Sequence, residues 1–143
     1  MTGLAEAEPW VRGFLLQGTR TAALATVRAD GAPHVKPVWF LLDDDVLVFT
    51  TGAGTVAGRN LAREPRVALS VDDSVPPFSF VALRGRAQLS EELAEVRRWA
   101  GLIGARYGGA DREQELAERN GVPGELLVRV IIDHVAGARD VAS

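Results

Sequence analysis

The run Thr50-Thr51-Gly52-Ala53-Gly54-Thr55-Val56-Ala57-Gly58-Arg59-Asn60 has the make-up of an anion-binding turn. A β-branched stretch over 46–51 feeds glycines and then a helix start near Thr55. The first helical turn leaves N–H groups free, and the helix dipole favours negative charge there. Threonine hydroxyls can donate to a phosphate, glycines let the backbone approach it, and Arg59 adds a positive charge. This spacing predicts the place where a phosphorylated cofactor sits. The glycines nearly spell the dinucleotide fingerprint GxGxxG, but the third is one position late. A hairpin also precedes the turn, whereas that fingerprint needs alternating parallel strands and helices.

Three further groups invite a chemical reading beside a plain one. Lys36 is the only lysine beside fifteen arginines. It lies mid-strand, and a lysine is seldom fully buried, so its strand face is wet, paired or cofactor-facing. Trp39 is either core or a flat apolar wall for a ring, and Val38 is its strand neighbour. Phe78 and Phe80, two apart at a strand entry, either pack in a core or edge or form the lip of a pocket. Arg59 and Arg63 share a helix face. They meet solvent beside Glu64, or with Arg66 they rim a phosphate or an acidic tail.

Composition removes several alternatives. The chain has no cysteine and two histidines, His34 and His134, so disulfides, thiolate metal sites, cysteine nucleophiles and histidine-rich metal centres drop out. A formal net charge of −3 disfavours general nucleic-acid binding. No apolar run has the length of a membrane span, and the acidic start lacks a signal-peptide pattern, which makes the cytoplasm the expected location. No Ser-His-Asp order, HExxH motif or carboxylate pair stands out, so in an enzyme a cofactor carries the chemistry. The 143 residues suit one domain spanning 1–143.

The elements that must hold these residues follow from pattern. A helix is predicted over about 9–17, with Trp10, Phe14 and Leu15 as its apolar stripe. Strands follow at 21–27, 33–42 and 46–51, the first two joined by an Asp30-Gly31 hairpin, and together they read as an antiparallel meander. Pro37 cannot donate to a ladder and implies an edge, a bulge or a gap. A helix from Thr55 to Arg63 stops before Pro65. Strands are expected at 66–71 and 78–89, the second with a bulge near Gly85. A helix capped around Ser90-Glu91-Glu92 carries a stripe of Leu93, Val96, Ala100, Ile103 and Tyr107. Arg97, Arg98 and Arg106 lie off that stripe and read as solvated. A short helix with an Asp111–Gln114 capping box, a strand over 125–134 and a fraying tail from Gly137 complete the chain. The class is α+β: an antiparallel barrel or sheet of about six strands with peripheral helices.

Three blocks carry a family resemblance covering nearly the whole chain: Ala23 to Val35, Pro37-Val38-Trp39-Phe40, and Arg59-Asn60-Leu61-Ala62-Arg63-Glu64-Pro65-Arg66-Val67-Ala68-Leu69. The chain resembles the split β-barrel superfamily of pyridoxamine 5'-phosphate oxidases, and within it the deazaflavin (coenzyme F420)-dependent reductases. That resemblance implies a homodimer with two cofactor sites at the subunit interface. The phosphate would lie by Thr50, Thr51, Thr55 and Arg59, with Val56, Ala57 and Asn60 in the same cofactor-binding segment. The ring would lie along Lys36, Val38 and Trp39, and Phe78 and Phe80 would close the site from the partner subunit. It further implies F420-dependent hydride transfer to an electron-poor double bond of a small organic substrate. FMN is the alternative cofactor, and a non-catalytic carrier of F420, flavin or haem is the alternative role. The proton donor is open between solvent, His34 and Tyr107. Relatives commonly carry lysine at the position of Ala57 and arginine at that of Thr55. Restoring lysine at 57 is therefore expected to tighten cofactor binding.

Overall fold

The structure, a computed structural model, describes residues 3–143. Seven strands and four α-helices alternate as α1 (Trp10–Leu16), β1 (Ala22–Val27), β2 (Pro33–Val38), β3 (Leu41–Asp43), β4 (Val46–Gly52), α2 (Val56–Arg63), β5 (Arg66–Asp73), β6 (Ser79–Ser90), α3 (Leu93–Gly108), α4 (Glu113–Asn120) and β7 (Glu125–Ala138). All strand pairs are antiparallel, in the order β2-β1-β5-β6-β7-β4-β3. This is the α+β split barrel. Its core gathers the inward residues of every long strand, including Leu24, Phe49, Leu69, Leu83 and Val128, with Ala57 and Leu61 of α2 and Phe14 and Leu15 of α1.

The expected meander is not what forms. Residues 33–43 make two strands, and these lie at opposite ends of the sheet order. Trp39 and Phe40 carry the chain from one edge to the other, so the barrel has a seam that no ladder closes. Pro37 sits on β2 at that edge, where its missing N–H costs nothing. On the other side β3 pairs only with Val46 to Val48, which leaves the 49–52 end of β4 open along the seam. The seventh strand is thus the short β3, split from the predicted 33–42 strand.

Other boundaries shift for local reasons. The β6–β7 ladder changes register between Arg84 and Gly85, as expected for a bulge. A Cβ at Gly85 would lie 2.2 Å from the Ile131 carbonyl oxygen, so only glycine fits there. Glu92, not Ser90, caps α3, its carboxylate accepting from the N–H groups of Ala94 and Glu95. The capping box at Asp111 does not form; a 3-10 turn over Ala110–Arg112 leads into α4 instead. The tail is tied down, because β7 continues to Ala138 and the N–H groups of Val141 and Ala142 bond to Phe78 and Pro77 carbonyls. No helix is long and apolar enough to cross a membrane among the described residues.

α3 lies on the outer face of the β4–β7 ladder, where Val96 and Trp99 bury Val48 and Leu127. α2 plugs the barrel mouth beside β1. Its contact with the preceding turn explains the third glycine of the run. A Cβ on Gly58 would stand 2.1 Å from the Gly52 carbonyl oxygen and 3.0 Å from Ala53 Cα. Gly58 therefore serves helix–turn packing, and Gly52, Gly54 and Gly58 all keep φ outside the left-handed region. Gly58→Ala is expected to destabilise the fold by about 1–3 kcal/mol, the usual range for overpacking, measured as a lower urea midpoint.

Candidate functional site

The seam opens into a cleft of about 300 Å³ lined by Lys36, Pro37, Val38, Trp39, Thr50, Ala100, Ile103, Asn120 and Glu125. β2 supplies one wall, the open end of β4 the other, and α3 with the end of α4 the roof. Strand alternation decides which side chains reach it. Thr50 and Glu125 continue the outward rows of Val48 and Leu127, so they emerge where the cover of α3 ends. They are diagonal neighbours on the β4–β7 ladder, since Thr50 opposes Leu127 and Gly52 opposes Glu125.

Trp39 is 44% exposed and stacks on Tyr107 at 4.8 Å between ring centroids with planes 3° apart. One indole face is thus fixed by packing while much of the ring meets solvent, the arrangement of a rigid apolar wall. The crossing that holds it is pinned from α3. The Arg106 guanidinium donates to the carbonyls of Gly18, Phe40 and Leu15 at 3.0, 2.7 and 2.8 Å. The Tyr107 hydroxyl donates to the Arg20 carbonyl at 2.7 Å and accepts from Phe40 N–H at 3.2 Å. Arg106 is therefore a structural cation, not a solvated one. Tyr107 is committed to the backbone, and burial pushes its phenol pKa up. It is no free proton donor.

Charge in the cleft is sparse. Lys36 makes no salt bridge among the described residues. Glu125 is half-buried, and desolvation pushes its carboxyl pKa up, against the neighbouring Thr50 hydroxyl and the charge of Lys36. Nothing local in the sequence marked Glu125. It follows Gly124 at the start of an ordinary strand, and only the β4–β7 register carries it to the cleft.

A family model decides what this architecture is. The model described as pyridoxamine 5'-phosphate oxidase matches residues 8–138. The chain belongs to the pyridoxamine 5'-phosphate oxidase family. One relative, an F420H(2)-dependent biliverdin reductase of Mycobacterium tuberculosis (strain CDC 1551 / Oshkosh), is 29% identical over 127 residues, covering 84% of this chain and 80% of that one. A solved structure described as an F420 reductase shares 27% identity, with a TM-score of 0.68, over 85% of this chain and 93% of its own. The conserved hypothetical protein Rv2991 of Mycobacterium tuberculosis superposes with a TM-score of 0.81 at 24% identity, covering 96% of this chain and 88% of that one, and shows the shared fold.

The structure separates the expected cofactor residues into groups. Lys36, Val38, Trp39 and Thr50 meet in the cleft. Thr51, one residue on, points to the opposite face of β4, is buried, and lies 3.3 Å from the Thr55 hydroxyl. Thr55 caps α2, accepting from Gly58 N–H at 3.0 Å and donating to the Gly52 carbonyl. Val56 is half-buried on the first turn of α2, outside the cleft lining. Arg59 turns back to the Gly54 carbonyl, and Arg63 reaches the Val27 carbonyl and the Asn60 side chain. Arg66, not Arg59, pairs with Glu64.

Two expectations need correction. Asn60 is 4% exposed and donates to Thr26 Oγ1 at 3.0 Å, so it ties α2 to β1 instead of facing a ligand. Ala57 is 1% exposed and belongs to the barrel core. Ala57→Lys is therefore expected not to tighten binding but to destabilise the fold, because a buried ammonium without a partner is costly; a lowered melting temperature is the readout. Phe78 and Phe80 do not approach the cleft of their own chain, so the expected closure would have to come from a partner subunit. Phe80 opposes Ala138, whereas Thr50 opposes Leu127 at the other end of β7, roughly 35 Å along the strand.

Proposed function

We propose that the chain is an F420-dependent reductase whose cofactor ring lies in the seam cleft. Reduced deazaflavin supplies a hydride, and the acceptor is an electron-poor double bond of a small organic molecule. The observation that carries this reading is the half-exposed Trp39 wall, beside a cation without a salt bridge, between two strand edges that the fold leaves unpaired. The residues present fit such a group. Trp39 and Val38 offer a flat apolar surface, and the open backbone edges of β2 and β4 offer donors and acceptors to a heteroaromatic ring. Lys36 and the Thr50 hydroxyl suit its polar and anionic parts. With Ala57 and Asn60 in the core, the phosphate contacts fall to Lys36, Thr50, the α2 terminus and Arg59. The 29% identical relative that reduces biliverdin with F420H(2) supports both the cofactor and a conjugated acceptor.

The outer sheet face supports a homodimer. Two cross-strand rows, Val35-Ala25-Ala68-Arg84-His134 and Pro37-Ala23-Ser70-Ala82-Ala136, run over five strands. Small side chains leave there a mostly apolar hollow of about 560 Å³, of the kind that a second copy covers. In such a dimer Phe78 and Phe80 would be free to close the cleft of the other copy. Sedimentation of the purified protein at a dimer's mass is the expected result.

The test of the cofactor is direct. Fluorescence-monitored titration with F420 should saturate, and the reduced form should be oxidised on addition of biliverdin or an enone. Purification as a yellow protein with tightly held FMN would overturn the reading in favour of an FMN enzyme. Binding without turnover across a broad acceptor panel would make the protein a carrier.

A further inference from the structure

We propose that Glu125 is the acid of the cleft, taking up a proton as an anionic cofactor enters and passing it to the acceptor during reduction. The inference rests on the cofactor reading above and adds a residue that the reading does not need.

Glu125 is the one carboxylate in the cleft lining, on the same wall as Thr50 and across the seam from Lys36. Among the groups facing it, β4 brings the Thr50 hydroxyl and β2 brings Lys36. α3 brings Ala100 and Ile103, and α4 brings Asn120, none of them charged. His34 lies two positions before Lys36 on the same face of β2. Arg59 of α2 is turned to the Gly54 carbonyl. A phosphate-bearing ligand in this cleft would expel water from Glu125 and bring a like charge near it. Both effects favour the neutral acid. Desolvation already pushes the carboxyl up before anything binds.

The chemistry has a place for that proton. Reducing a C=C or C=N bond adds two electrons and two hydrogens. The hydride from reduced deazaflavin brings both electrons and one hydrogen, leaving the neighbouring atom of the acceptor electron-rich. The Glu125 O–H bond breaks as the new C–H or N–H bond forms there. The resulting carboxylate keeps the Thr50 hydroxyl beside it and the attraction of Lys36, and water at the cleft mouth reprotonates it. Tyr107 cannot serve in its place, since its hydroxyl proton is held by the Arg20 carbonyl.

Calorimetric titration of the whole protein with oxidised F420, in two buffers of different ionisation enthalpy, reads proton uptake directly. The wild type is expected to take up a fraction of a proton on binding, with Kd rising as pH rises. Glu125→Gln should bind F420 with that uptake and pH dependence removed. Its kcat should fall by about 10²- to 10⁴-fold, the range for losing a general acid, and the alkaline limb of its kcat–pH profile should disappear. Uptake identical in wild type and Glu125→Gln overturns the first half of the inference. Unchanged kcat and an unchanged profile in the variant overturn the second, and in either case the cofactor reading stands. Failure of the wild type to bind F420 or FMN overturns that reading and this inference with it.

Discussion

Trp39→Ala is expected to weaken F420 binding by about 1–3 kcal/mol, roughly 5- to 150-fold in Kd, the range for removing an aromatic platform beneath a heteroaromatic ring. The structure makes this a clean test. Trp39 is half outside the protein, and its partner Tyr107 is anchored independently by two backbone hydrogen bonds. Losing the Trp39–Tyr107 stack itself costs only about 0.5–1.5 kcal/mol, so the variant should stay folded. Trp39→Phe should recover much of the affinity. Fluorescence titration of the three proteins gives the comparison, and an unchanged Kd in Trp39→Ala would remove the ring from this wall.

Arg106→Met carries the largest expected cost to stability. One guanidinium satisfies three carbonyls, from Leu15, Gly18 and Phe40, drawn from the end of α1, the turn after it and the seam crossing. Its cation also rests over the rings of Phe40 and Tyr107 at 4.8 and 4.9 Å. Burial lowers the Arg106 pKa from its ordinary value, yet the guanidinium remains charged at neutral pH. Hydrogen bonds to charged groups contribute about 1.5–3 kcal/mol each, but they are not additive, and Arg106 keeps some water. A loss of about 2–4 kcal/mol follows, or roughly 6–16 °C in Tm. Because the Phe40 carbonyl lies next to Trp39, the variant should also bind cofactor more weakly at temperatures where it is fully folded. Melting curves and Kd measured at low temperature separate the two effects. A melting temperature within a degree or two of wild type would refute the structural role.

Much of this was readable from local pattern. The β1–β2 hairpin, the bulge at Gly85, the helix stop at Pro65 and the edge at Pro37 each depend on residues close in sequence. The isolation of Lys36 among arginines pointed to a strand that does line the cleft. What could not be read was pairing at a distance. Residues 33–43 alternate as if they were one strand, and period two continues through Trp39 and Phe40, so nothing local signals that the chain leaves one sheet edge for the other. Glu125 was silent for the same reason: its neighbours in the cleft, Lys36 and Thr50, are dozens of residues away. The glycine run shows a different limit. A glycine demanded by tight backbone packing and one demanded by a ligand leave the same letter, and Gly58 is of the first kind. Arg106 sat off the apolar stripe of α3, a position that predicts solvent unless carbonyls from other segments happen to face it. Ala57 looked like a missing charge and is a core methyl group.

The seam divides the protein into parts with separate duties. Nearly all of the core is enclosed by the ladders and α2, away from the opening. The roof over the opening is instead the α3–α4 hairpin, inserted between β6 and β7 and contributing only Ala100, Ile103 and Asn120 to the lining. Bulk at those three positions would set the length and width of whatever the cleft holds, and because Ala100 and Ile103 are themselves buried, the room to vary it is greatest at Asn120. If the cofactor ring lies against Trp39 as proposed, the roof can be altered from one inserted hairpin while the wall behind the ring stays fixed.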